Sequence, residues 1–262
     1  LTDIAPAPVE RLDRPDGGHV AYRRLADQNS GLPGVVFIHG LRSDMDGGKA
    51  ERLAEFCAAK GQAYVRFDCR GHGKSSGVFE ETVLSDWADD ALAVIDELTD
   101  GPQIVVGSSM GGWLMLLTAL ARPDRVKGLV GIAAAPDFTR RFQEELSADD
   151  LANLARTGRI ERPTEYDDAP YIFTKALLDD GDARSVLTGS LGFAGRMRLL
   201  HGMEDDAVPW ELALEIARQA TTPDVRVELI KDGDHRLSRE RDLRLLCQAV
   251  AELSEPPAPE PA

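Results

Sequence analysis

The chain is 262 residues long and 43% hydrophobic, enough for one sizeable core, and no linker-like stretch divides it. Thirty basic against 45 acidic side chains leave a formal net charge of −15, a field that repels phosphate backbones and excludes nucleic acid as the expected partner. Cys57, Cys69 and Cys247 are scattered and form no C-x-x-C pair, which argues against a disulfide framework and for reduced thiols in a cytoplasmic protein. Residues 1–15 carry neither the basic start nor the apolar stretch of a secretory signal, and no apolar run approaches the roughly 20 residues needed to span a bilayer.

Taken in order, residues 9–25 read as two strands around the turn Arg14-Pro15-Asp16-Gly17-Gly18. Val35-Val36-Phe37-Ile38 is wholly apolar, the pattern of a strand buried on both faces, and it ends in His39-Gly40-Leu41. A helix is expected from Gly48 to Lys60 with Gly61 as its stop, then a strand over residues 63–67. The following loop, Asp68-Cys69-Arg70-Gly71-His72-Gly73-Lys74-Ser75, is not a phosphate loop: Asp68 stands where the P-loop needs glycine, and Ser76 spoils G-x-G-x-x-G. Ser85 or Asp86 would cap a helix running from Trp87 to Leu98. Strands are expected over residues 103–106 and 126–135, with a helix between them; the alternation argues for a parallel sheet covered on both faces.

The rhythm breaks over residues 136–194, which contain no convincing strand but have helix-like pieces around residues 138–146, 149–157 and 171–178. A crossover of that length suggests a small helical cap over a site, with Phe138, Phe142, Leu151, Leu154, Tyr166, Tyr171, Phe173 and Leu177 as its apolar stock. The sheet resumes at residues 196–200, passes through His201-Gly202-Met203-Glu204-Asp205-Asp206-Ala207-Val208-Pro209 to a helix over 210–219, then to an edge strand over 225–230 and a closing helix over 239–253. The expected organisation is therefore a core of residues 1–135 and 195–253, a cap of 136–194 and a disordered Pro- and Ala-rich tail of 254–262.

The stretch that carries chemistry is Gly107-Ser108-Ser109-Met110-Gly111, a G-x-S-x-G between a strand-like and a helix-like segment. A serine held on such a sharp turn needs neighbours without a Cβ, so that strand and helix can approach. A serine hydroxyl is barely ionised at neutral pH and needs a base, with a further group to orient that base. His235, in the loop Asp232-Gly233-Asp234-His235, is the candidate base; His201, directly at a strand end, reads as a packing histidine, and His19, His39 and His72 precede the serine. Asp205 is the candidate orienting acid, ahead of Asp206 and Glu204. The backbone N–H groups of Leu41 and Met110 are the candidate oxyanion donors. No metal or organic cofactor is required. Arg140 and Arg141, early in the cap, could meet a carboxylate; solvated surface positions are the plainer reading.

These motifs, His39-Gly40, residues 70–75, residues 107–112 and His201-Gly202 with Asp205 and Val208-Pro209, resemble the α/β-hydrolase superfamily over nearly the whole chain. Within it, residues 107–115, residues 201–210 and Asp234-His235-Arg236 look like the branch of palmitoyl-protein thioesterases and acyl-glucuronide esterases. The resemblance implies a mostly parallel sheet flanked by helices, a triad of Ser109, Asp205 and His235, and hydrolysis of small-molecule or acylated esters and S-acyl thioesters. A carbon–carbon bond hydrolase or a prolyl-type peptidase could use the same triad, and a non-catalytic binding protein could share the fold.

Overall fold

The computed structural model describes residues 7–163 and 170–255. Tyr166 and residues 256–262 of the expected tail lie outside the described residues, whereas Ser254 closes the last helix. The chain opens with β1 (Glu10–Asp13) and β2 (His19–Leu25), an antiparallel pair closed by hydrogen bonds between Arg14 and Gly18 and between Gly17 and Arg14. There follow β3 (Gly34–Ile38), α1 (Gly48–Lys60), β4 (Tyr64–Phe67), α2 (Leu84–Leu98), β5 (Gln103–Ser108), α3 (Met110–Ala121) and β6 (Val126–Ile132). Later in the chain come β9 (Arg196–Gly202), α7 (Glu211–Gln219), β10 (Val225–Ile230) and α8 (Glu240–Ser254). These strands form one eight-stranded sheet in the order β1-β2-β4-β3-β5-β6-β9-β10, parallel from β4 through β10.

Alternation along the central strands supplies both faces of the core. Val36 and Ile38 pack on one side with Trp87, Val94, Trp113 and Ile216 from α2, α3 and α7. Val35 and Phe37 pack on the other with Leu53, Cys57, Leu246 and Val250 from α1 and α8. Each such fully buried aliphatic side chain contributes about 1.5–3 kcal/mol, so the two layers hold the sheet from both sides. Gly61 ends α1 in the left-handed conformation at φ 64°, as its place after the last apolar turn predicts. The start of α2 differs from expectation: the helix begins at Leu84, and Asp86 lies in its first turn, where its carboxylate accepts the Val83 N–H at 3.0 Å. A carboxylate near that terminus satisfies an orphan donor from inside the helix as well as a cap does from outside.

Between β6 and β9 the chain leaves the sheet. It forms α4 (Phe138–Glu144), α5 (Ala148–Thr157), β7 (Arg159–Arg162), β8 (Tyr171–Thr174) and α6 (Lys175–Asp182). The antiparallel β7–β8 pair corrects the reading of this insertion as purely helical, in particular of residues 171–178, which split into strand and helix. Each strand is four residues long and buries a single side chain, Ile160 or Phe173, too short a run for hydrophobic periodicity to separate strand from helix. Asp137 ties the insertion down by accepting the N–H groups of Val186 and Leu187 at 2.8 and 3.0 Å. The Trp113 ring meets Phe138 edge-on at 5.5 Å.

Candidate active site

The turn from β5 to α3 puts Ser109 in a conformation that side chains rarely adopt, φ 54° and ψ −119°. The strain is held from both sides: the Ser109 N–H donates to Ile132 O at 2.9 Å, and its carbonyl accepts from Gly112 and Ala135 at 2.8 and 3.0 Å. The flanking glycines are required by contact. A Cβ on Gly107 would stand 2.2 Å from Gly111 O, and one on Gly111 would stand 2.2 Å from Ile38 O. Strand, turn and helix are thus packed backbone to backbone, and Ser109 is the residue pushed out at the sheet edge.

Two further loops, at the ends of β9 and β10, are pressed together by the same device. Glu204 N–H donates to Gly233 O at 2.9 Å and Met203 N–H to Ile230 O at 2.9 Å, while a Cβ on Gly202 would meet Gly233 O at 2.2 Å. Asp205 and His235 ride on these loops. His235 Nε2 is 3.1 Å from Ser109 Oγ, and His235 Nδ1 is 2.8 Å from Asp205 Oδ2. The three groups expected to work together therefore stand in one hydrogen-bonded line. Asp206 and Glu204, the rival carboxylates, are exposed.

Asp205 is more heavily engaged than its motif suggests. Its Oδ1 accepts the N–H groups of Ala207 and Val208 at 2.9 and 2.8 Å, and its Oδ2 is shared between His235 Nδ1 and His201 Nε2, the latter at 3.1 Å. Burial pushes its pKa up, but the hydrogen bonds from His201 and His235 override that and hold it far below the usual carboxylate range. His201 is fully buried, as a packing histidine should be, and its Nε2 also faces Val208 O at 3.0 Å, which makes Nε2 the protonated nitrogen. Its role in holding Asp205 is the contact that sequence reasoning misses. The four-residue spacing from His201 to Asp205 is visible, but nothing local shows that the two side chains turn toward each other.

The site opens into a cavity of about 670 Å³ lined by Gly40, Leu41, Ser109, Met110 and His235 on the sheet side, and by Phe138, Phe142, Tyr171 and Phe173 from the insertion. Among the described residues, no protein group accepts the N–H of Leu41 or of Met110. Gly40 brings its loop against the serine, since a Cβ there would stand 3.3 Å from Ser109 Cβ. Of the two arginines considered from sequence, Arg141 lines the cavity, whereas Arg140 is exposed and does not. Lys49 also lines it; its ammonium donates to Arg236 O at 2.6 Å, and burial pulls its pKa down to about 8 against the pull of Asp234.

The histidines early in the chain serve the fold. His39 Nε2 accepts the Cys69 N–H at 3.0 Å, and the His39 and His72 rings lie 4.9 Å apart beside Phe79 and Trp87. Asp68 fixes the intervening loop by accepting the N–H groups of Met45 and Lys74, each at 2.7 Å. Among the described residues no group of three or more His, Cys, Asp or Glu is placed to hold a metal ion, and no helix is long and apolar enough to cross a membrane.

Known proteins carry the same architecture. Bovine mitochondrial palmitoyl-protein thioesterase ABHD10 is 38% identical over 246 residues, covering 94% of this chain and 79% of the relative, and the human protein of that name is 38% identical over 243 residues, covering 92% and 78%. Among solved structures, mouse alpha/beta hydrolase domain-containing protein 10 superposes with a TM-score of 0.88 at 36% identity, covering 94% of this chain and 98% of that one. An Agrobacterium vitis protein superposes with a TM-score of 0.91 at 36% identity, covering 96% and 100%. Residues 35–249 match the model of the alpha/beta hydrolase family, and with sequence, sheet order and elbow geometry in agreement, the chain belongs to that family.

Proposed function

We propose that the protein is a serine hydrolase that cleaves carboxylic esters and S-acyl thioesters through an acyl-enzyme on Ser109. The observation that carries this reading is the line from Ser109 Oγ through His235 to Asp205, at 3.1 and 2.8 Å, at the mouth of a cavity large enough for a small acylated substrate. His235 Nδ1–H donates to the Asp205 carboxylate, which leaves Nε2 as the acceptor for the serine proton. Ser109 Oγ attacks the carbonyl carbon as that proton passes to His235. The tetrahedral oxyanion is held by the N–H groups of Leu41 and Met110, and the leaving alcohol or thiol departs with the proton from His235. Water then repeats the sequence on the acyl-enzyme and frees the acid and Ser109. Asp205 stabilises the imidazolium in both halves. The 136–194 insertion acts as the cap that shapes the acyl-binding space. The names of the mammalian relatives support thioesters among the substrates, and acyl-glucuronides are an additional ester class within the same chemistry.

The test is turnover and labelling. Wild-type protein is expected to hydrolyse p-nitrophenyl butyrate and a butyryl thioester and to react with a fluorophosphonate at Ser109. Ser109→Ala is expected to lose both without a change in its circular dichroism. Undiminished turnover in that variant would remove Ser109 from the mechanism, and a wild-type protein inert to every ester and to the fluorophosphonate would favour a binding protein with this fold.

A further inference from the structure

Arg141 is the α4 arginine that lines the cavity. Phe138, Arg141 and Phe142 on α4, with Glu145 capping its C-terminus, follow at intervals of three and four, and all four line the cavity. The opposite side of the helix is clamped to α6: Thr139 Oγ1 donates to Asp182 at 2.8 Å, Gln143 Nε2 donates to Asp182 at 2.7 Å, and a Cβ on Gly181 would stand 2.4 Å from the Thr139 side chain. The orientation of the helix is therefore fixed by contacts that do not involve Arg141, and its face toward Ser109 is presented by the clamp.

On that face the guanidinium is left without a counter-ion in contact. Among the described residues the Arg141 side chain makes no ion pair or hydrogen bond, and its Nη1 is buried with no acceptor; Glu145, Asp137 and Asp205 pull on it only through space. The other cap arginine on the cavity wall, Arg162, is neutralised by Asp150 at 2.8 Å. Asp44 and Glu145 are the Asp and Glu side chains among the cavity-lining residues, and neither is in hydrogen-bond or ion-pair contact with Arg141. A half-buried guanidinium with a buried nitrogen that touches no acceptor is uncommon in a folded protein, and its planar N–H donors suit the bidentate geometry of a carboxylate.

We infer that Arg141 is a substrate-recognition residue that binds a carboxylate carried by the ester or thioester, so that the enzyme prefers acidic substrates over neutral ones of the same size. The inference rests on the proposed hydrolase reading for where the substrate's reacting carbonyl sits, and it adds the charge of the substrate's far end. A carboxylate on the acyl limb and one on the leaving-group limb both present the same chemistry to Arg141, and the experiment separates them.

Two substrate pairs of matched size are compared. One is the p-nitrophenyl monoester of glutaric acid against p-nitrophenyl valerate, and the other is the butyryl ester of glycolic acid against that of glycolamide. In wild-type protein the acidic member of at least one pair is expected to have a kcat/KM higher by about tenfold or more, mainly through KM, as a charge-assisted pair in a sheltered site allows. In Arg141→Met that ratio is expected to fall toward one, and Arg141→Lys, which keeps the charge without the fork, should recover part of it. A ratio at or below one for both pairs in wild-type protein, or a ratio unchanged in Arg141→Met, overturns the inference. Calorimetric binding of glutarate and glutaramide to Ser109→Ala protein gives a reading independent of turnover: preference for glutarate supports the carboxylate site, and equal or absent binding of both rejects it. Loss of all ester hydrolysis in wild-type protein with glutarate binding intact would strike the hydrolase reading alone.

Discussion

Replacing Asp205 by asparagine changes one atom of a four-way junction, and the structure specifies the consequence. Oδ1 can keep its two backbone donors, Ala207 and Val208, so the NH2 group takes the place of Oδ2. There it faces His235 Nδ1 at 2.8 Å and His201 Nε2 at 3.1 Å, both of which present protons. His201 keeps its Nε2 proton for Val208 O at 3.0 Å, so the relief must come from His235, which moves its proton to Nε2 and then donates toward Ser109. A histidine in that tautomer cannot act as the base. In a chymotrypsin-type triad the same substitution lowers kcat by about 10⁴, which corresponds to about 5.5 kcal/mol of transition-state stabilisation, and the same order is expected here. Folding should suffer as well, since two hydrogen bonds to a charged group become neutral or repulsive contacts; about 3 kcal/mol is expected, or a drop in Tm of roughly 6–12 °C for a chain of this size. Stopped-time assays of p-nitrophenyl butyrate hydrolysis with thermal melts on the same preparation measure both. A variant with kcat within tenfold of wild type would refute the tautomer argument and with it the place of Asp205 in the reaction.

Two further outcomes test other parts of the molecule. Ser109 holds a positive φ of 54°, at a cost of about 1–3 kcal/mol for a residue with a Cβ, so Ser109→Gly is expected to raise Tm by a few degrees above both wild type and Ser109→Ala, while losing activity as the alanine variant does; equal melting points for the glycine and alanine variants would mean that the elbow stores no strain. His72 is held to a pKa of about 3, first by burial and then by repulsion from His39, below the roughly 6.5 of an unfolded chain. Between those values the unfolded state binds the proton and the folded state does not, so this contribution to stability is complete above pH 6.5 and is lost as pH falls toward 3, at about 1.4 kcal/mol per pH unit. Urea titrations at pH 7 and 5 on wild type and His72→Gln should show the shallower pH dependence in the variant; parallel slopes would contradict it.

Much of this molecule is legible along the chain because its rules are local. Val35-Val36-Phe37-Ile38 reads as a strand buried on both faces, Gly61 as a helix stop and Gly107 to Gly111 as an elbow, since period, backbone sterics and the absence of a Cβ act over a few residues. The order of serine, acid and histidine with their flanking motifs names Ser109, Asp205 and His235 as candidates. Their meeting is another matter: Ser109 and His235 are 126 positions apart, and only the parallel order of β5, β6, β9 and β10, with loops zipped at Gly202 and Gly233, brings the hydroxyl to the imidazole. The insertion is least legible, because four-residue strands such as β7 and β8 are stabilised by each other and carry almost no periodic signal. Tertiary structure alone decided that His201 and His235 share one oxygen of Asp205, and that Arg141 lines the cavity with its Nη1 touching no acceptor among the described residues, while Arg140, one position earlier, is exposed. Adjacent residues on a helix point about 100° apart, so which arginine meets the cavity depends on where Thr139 and Gln143 anchor the helix, a contact made across about forty residues of chain.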